Sequence, residues 1–88
     1  MLRKVQIFTT TYCPYCVRAK SLLGRRGIPF EEVDVTHDAE ARARLVRASG
    51  GRRTVPQIFI DGVPIGGCDE LQELDRRGML LPTVGIAA

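Results

Sequence analysis

An Asp61-Gly62 pair stands between two short apolar runs, Gln57-Ile58-Phe59-Ile60 and Val63-Pro64-Ile65. Asp and Gly tolerate the positive φ angles of a two-residue hairpin turn, so this stretch predicts two antiparallel strands joined tightly. The amino-terminal half carries a different pattern. Val5, Ile7, Phe8 and Thr9 form a β-branched and aromatic run that ends in Thr9-Thr10-Thr11, and Phe30-Glu31-Glu32-Val33-Asp34-Val35 alternates apolar with acidic residues. Both read as strands, and the stretch between them has helical spacing. A strand, a crossover helix and a second strand make a parallel, right-handed unit. A chain with both a parallel unit and an antiparallel hairpin builds a mixed sheet.

The crossover runs from Pro14 to Arg26, where Cys16, Val17, Ala19, Leu22 and Leu23 recur at helical spacing and Arg18, Lys20, Arg25 and Arg26 are left for water. Pro14 suits the first helical position, which needs no N–H donor, and Gly27 suits the stop. The turn Gly27-Ile28-Pro29 leads into the second strand. Asp38 opens a second helix through Ala48, with Leu45 and Val46 facing inward and Ser49-Gly50-Gly51 closing it. Leu71 and Leu74 share one face of a third helix from Asp69 to Arg77, with Gly78 beyond its end. Met79 to Ala88 is an apolar tail in which Pro82 and Gly85 interrupt any continuous amphipathic helix, so it is expected to pack and then fray. The order is β-α-β-α-β-β-α, an α/β arrangement with a four-stranded mixed sheet flanked by three helices. At 88 residues the chain holds one core, so residues 1–88 are expected to form a single domain.

With 44% hydrophobic and 26% charged residues the chain reads as globular rather than disordered. Thirteen Lys and Arg against ten Asp and Glu leave a charge of +3, but the cations are dispersed in pairs such as Arg25-Arg26 and Arg76-Arg77. No basic stripe is interleaved with aromatics, so nucleic-acid binding is not expected. The first residues lack a signal-like apolar stretch, and nothing approaches the roughly 20 apolar residues of a membrane span. A cytoplasmic location follows as the expectation, with its reducing conditions. Three cysteines there serve chemistry rather than a structural framework.

Cys13 and Cys16 are spaced to close a disulfide across one helical turn, Cys13 at the exposed cap and Cys16 turned inward. A thiolate at Cys13 would sit on the unpaired N–H groups of Tyr15 and Cys16 at the positive end of the helix, which favours the charged form. Thiolate is what attacks sulfur, so Cys13 is the expected nucleophile and Cys16 the resolving thiol. A zinc site would want a second cysteine pair, and only Cys68 and His37 remain, so no metal is expected. His37 reads as an exposed loop or capping residue. Tyr15 is open to two readings, a core aromatic or the border of a thiol-binding groove.

Three motifs now stand in order along nearly the whole chain: Cys13-Pro14-Tyr15-Cys16, Thr54-Val55-Pro56-Gln57-Ile58-Phe59-Ile60 and Gly66-Gly67-Cys68-Asp69. Together they resemble the dithiol glutaredoxins, the short bacterial ones in particular. The resemblance implies a thioredoxin-like fold in which Pro56 is cis and faces the cysteine pair. It implies a glutathione-dependent disulfide oxidoreductase with a redox-active Cys13–Cys16 disulfide, glutathione as co-substrate and no tightly bound cofactor. Carried over residue by residue, Thr54 and Val55 beside Pro56 would pair with the cysteinyl part of glutathione. The backbone N–H groups of Cys68 and Asp69, following Gly67, would meet its γ-glutamyl carboxylate, with Tyr15 at the border. Without the family, Gly66-Gly67 is a turn and Asp69 a helix cap.

Many relatives carry Lys three residues before the nucleophile, where this chain has Thr10; Arg52 and Arg53 are the candidates to supply that cation. The partners implied are glutathione, disulfide or glutathionylated proteins and, through glutathione, glutathione reductase, with the chain acting as a monomer. One alternative is a redoxin recharged by thioredoxin reductase, against which Gly66-Gly67-Cys68-Asp69 argues. The other is a non-enzymatic iron–sulfur carrier, against which Pro14 and the second thiol Cys16 argue. Cys68 is expected to form no internal bond with the pair and to take up glutathione under oxidation.

Overall fold

The computed structural model describes residues 2–86. Strand β1 (Val5–Thr9) is followed by helix α1 (Pro14–Arg25), strand β2 (Glu31–Asp34) and helix α2 (Ala39–Ala48). Strands β3 (Gln57–Ile60) and β4 (Val63–Gly66) come next, then helices α3 (Cys68–Arg76) and α4 (Leu80–Val84). The sheet order is β2-β1-β3-β4. β1 pairs parallel with β2 and antiparallel with β3, which pairs antiparallel with β4. The mixed sheet is therefore the one expected from the two halves of the sequence.

The two-residue period of the strands sorts their side chains to opposite faces. Val5, Ile7, Ile58 and Ile60 join Leu22 and Leu23 of α1, Leu71 of α3 and Leu80 and Val84 of α4 in one cluster. Phe8 and Phe59 face the other way, onto Ala41 and Leu45 of α2. Their rings meet edge to face, with centroids 5.4 Å apart and planes at 70°. Such a pair contributes about 0.5–1.5 kcal/mol beyond its buried area. β2 is an edge strand whose Glu31, Glu32 and Asp34 are exposed. Charge there discourages pairing with another chain.

The hairpin forms as read. Asp61 and Gly62 both take positive φ, 50° and 78°. The Asp61 carboxylate adds a bond that sequence did not suggest, accepting the Lys4 N–H at 2.8 Å while Asp61 N–H donates to Lys4 O at 2.8 Å. The β1–β3 ladder is thereby carried one step into the turn.

Two expectations change. A fourth helix, α4, occupies the apolar tail. Pro82 is its third residue, inside the first turn where a missing N–H costs nothing, and Gly85 ends it at φ 99°. Arg3 N–H donates to Val84 O at 2.8 Å, tying this helix back to the start of the chain. The end of the tail, residues 87 and 88, lies outside the described residues. Val17 is 60% exposed, because the buried stripe of α1 is Cys16, Ala19, Leu22 and Leu23, and position 17 is rotated off it. As expected, Asp38 opens α2, its Oδ1 accepting Ala41 N–H at 2.9 Å, and His37 before it is an exposed loop residue.

Candidate active site

Cys13 is the N-cap of α1, with extended backbone (φ −136°, ψ 102°), and Pro14 opens the helix behind it. Its Sγ accepts the Cys16 N–H at 3.1 Å. Of the two donors expected from this helix end, Cys16 is the one engaged. On its other side Cys13 Sγ lies 3.9 Å from the carbonyl of Val55. The Val55-Pro56 peptide is cis, and Gln57, almost fully buried, donates through Nε2 to Thr54 Oγ1 at 3.2 Å. The turn that carries Thr54, Val55 and Pro56 is thus held against the cysteine from the sheet side.

Between these elements lies an open groove of about 160 Å³. α1 gives it Tyr15; the segment before β3 gives Arg52, Thr54, Val55 and Pro56; the start of α3 gives Gly67, Cys68, Asp69 and Glu70. The Arg18 guanidinium sits 5.4 Å from the centre of the Tyr15 ring, within cation–π range, so Tyr15 borders the groove rather than the core. Arg52 reaches the groove and Arg53 does not. Arg53 lines a separate depression beside α2 with Ala39, Arg42 and Val46.

Glu70 is the residue sequence reasoning missed. One carboxylate oxygen accepts the Gly67 N–H at 2.6 Å and the Arg52 guanidinium at 3.1 Å. The Gly67 bond first, then Arg52, holds this carboxyl below the usual range. The signal was present: Glu stands at the third position of a helix whose cap is Gly67, half of a capping box.

All three cysteines carry free thiols, and they are not equivalent. Cys13 is half-buried, its sulfur beside Val55, which lines the groove. Burial, and then the neighbouring Cys13, pushes the Cys16 thiol up to about 12. Burial, and then the Asp69 charge, also pushes Cys68 up. Cys68 is only 5% exposed and packs with Leu71 and Ile58, so its sulfur faces the core while its backbone lines the groove. That position shields it from the oxidation expected of it. Brief alkylation of the folded chain near neutral pH is therefore expected to label Cys13 alone, and peptide mapping that finds Cys68 labelled equally fast would contradict this.

The glutaredoxin family model matches residues 5–65. The chain is 49% identical to glutaredoxin 3 of Escherichia coli over 81 residues, covering 92% of this chain and 96% of that protein. Among solved structures it is similar to a buckwheat glutaredoxin–glutathione complex, with a TM-score of 0.84 and 35% identity over 97% of this chain and 83% of that one. It is also similar to a glutaredoxin from Brucella melitensis, with a TM-score of 0.80 and 45% identity over 99% and 96% of the two chains. With cysteines at 13 and 16 poised at the head of α1, the chain belongs to the glutaredoxin family of thiol-disulfide oxidoreductases.

Proposed function

We propose that the chain reduces glutathione mixed disulfides and protein disulfides at the expense of glutathione, with Cys13 as nucleophile and Cys16 as resolving thiol. The observation that carries this reading is the groove beside Cys13, whose sulfur lies 3.9 Å from the carbonyl of the groove residue Val55; the groove sets Thr54-Val55 against a helix N-terminus at Cys68-Asp69. An extended tripeptide thiol fits such a site. Its cysteinyl backbone adds to Val55 like a short strand, and its γ-glutamyl carboxylate meets the free N–H groups of Cys68 and Asp69. Tyr15 and Pro56 form the apolar walls, Gly67 lets the helix start come close, and the relative solved with glutathione supports the same occupant.

With a glutathionylated protein, Cys13 thiolate attacks the glutathione sulfur, the protein thiol leaves with a proton, and glutathione stays on Cys13. A second glutathione then attacks that sulfur and leaves as glutathione disulfide, restoring Cys13. With a protein disulfide, Cys13 bonds one substrate sulfur and Cys16 displaces it, closing Cys13–Cys16. Two glutathiones reopen that bond. A reducing, cytoplasmic compartment and a monomer suit this cycle.

The test is NADPH oxidation in the presence of a glutathionylated substrate, glutathione and glutathione reductase, compared with thioredoxin reductase as sole donor. Rapid turnover is expected in the first mixture. Turnover supported by thioredoxin reductase alone would overturn the reading in favour of the alternative redoxin.

Arg52 supplies the cation that Thr10 does not. A glutathione carboxylate would share its five N–H donors with Glu70. Because this cation is half-exposed, Arg52→Ala is expected to cost about 1 kcal/mol, a roughly fivefold rise in KM for a glutathionylated substrate at low salt. Arg53→Ala, away from the groove, changes KM little, and Thr10→Lys in the Arg52→Ala background recovers part of the loss. Equal effects of the two Arg substitutions in steady-state kinetics would remove the distinction.

A further inference from the structure

The resolving step poses a physical problem. Cys16 is 1% exposed and its neighbour in the reaction is another sulfur, so its thiolate is costly to form. Yet resolution requires that thiolate. The structure places one cation where it helps. Lys20 lies four residues along α1 from Cys16, on the same helix face, one turn away. Its ammonium is not left to wander. Lys20 Nζ donates to Glu32 Oε2 at 3.0 Å, and the same oxygen accepts the hydroxyl of Thr9 at 2.7 Å. Thr9 is fully buried at the end of β1, and the Lys20 and Glu32 side chains are only 33% and 37% exposed.

We infer that Lys20, anchored by Glu32 and Thr9, stabilises the Cys16 thiolate in the resolving step, so that this cluster serves the two-cysteine branch of the reaction. The inference rests on the division of labour between Cys13 and Cys16 proposed above. The groups around Cys16 are consistent with it: burial and Cys13 disfavour its thiolate, whereas the Thr10 backbone and the Lys20 charge favour it. Glu32 faces Thr9, Lys20 and Asp34, and the first two hold its carboxyl low and charged, so it stays a fixed anchor rather than a proton acceptor. In the step itself the Cys16 proton leaves to solvent and Cys16 Sγ attacks Cys13 Sγ. The Cys13–glutathione bond breaks, and the departing glutathione thiolate takes up a proton. The oxidation held in the mixed disulfide passes to Cys13–Cys16. Glu32 and Thr9 are positioning residues, acting through Lys20.

The experiment mixes the reduced chain with glutathione disulfide, quenches in acid at intervals, and follows by mass the glutathione adduct giving way to the internal disulfide. In the parent the closure rate rises with pH as Cys16 loses its proton. For Lys20→Met the rate is expected to lie about tenfold lower at low salt, and the gap narrows as salt is added, the mark of a charge rather than a packing effect. Lys20→Arg keeps the charge and stays near the parent. Formation of the adduct in each variant shows that Cys13 and the groove are intact. A Lys20→Met variant that closes as fast as the parent overturns the inference, as does a Lys20→Arg variant that falls as far as Lys20→Met. A parent whose adduct never closes overturns the Cys13–Cys16 division itself, and does so without any variant.

Discussion

Cys13→Ser is expected to abolish turnover of every disulfide substrate, by roughly a thousandfold or more, as loss of an essential nucleophile does. Cys16→Ser is expected to keep turnover of glutathione mixed disulfides and to lose that of protein disulfides. The asymmetry comes from the position of the two sulfurs on α1. Cys13 Sγ is half-buried beside the groove residue Val55 and receives the Cys16 N–H at 3.1 Å, a donor that a thiolate uses better than a thiol. Cys16 is buried and pushed up to about 12, so near neutral pH it is almost entirely thiol and waits for a partner on Cys13. Attack on a glutathione mixed disulfide leaves glutathione on Cys13, and a second glutathione can remove it without Cys16. A protein held on Cys13 has no such easy exit. Parallel assays with one glutathionylated peptide and one protein disulfide measure both arms. Equal losses in the two variants would sink the assignment.

Where function follows from local chemistry, the sequence was explicit. Cys-Pro at a strand-to-helix junction places a sulfur on a helix end whatever surrounds it, and Asp61-Gly62 sets a hairpin through its own φ preferences. What escaped depends on which way neighbouring residues face. Arg52 and Arg53 are adjacent in an extended segment, so one turns to the groove and the other to α2, and no pattern in the sequence distinguishes them. Glu70 was hidden because its cap residue, Gly67, has no side chain to complete the familiar pairing. Lys20, Glu32 and Thr9 come from α1, β2 and β1 and meet only because the parallel crossover brings β2 beside β1. Pro82 was read as a helix breaker because its rank within a helix cannot be known before the helix start is fixed.

Gly66→Ala is expected to destabilise the chain by about 2–4 kcal/mol, combining backbone strain with loss of a helix cap. Gly66 sits at φ 122°, a region L side chains rarely adopt. A Cβ there would also lie 2.7 Å from Cγ and 2.9 Å from Cβ of Glu70, both closer than carbon atoms approach, so Glu70 would have to move. That side chain cannot move freely: its carboxylate caps Gly67 N–H and holds Arg52. The damage therefore reaches the groove, and KM for a glutathionylated substrate is expected to rise alongside the loss of stability. Against a total stability of about 5–15 kcal/mol typical of small domains, the change is readily measured as a lower urea midpoint at unchanged slope. The share due to Glu70 is separable by a double-mutant cycle. In a Glu70→Ala background the cap and the contact with Cγ are already gone and only the contact with Cβ stays, so Gly66→Ala costs its backbone strain and that remaining contact, and the two substitutions together cost less than their separate effects. Strict additivity, or a Gly66→Ala midpoint equal to the parent's, would show that Glu70 does not fill the space beneath this glycine.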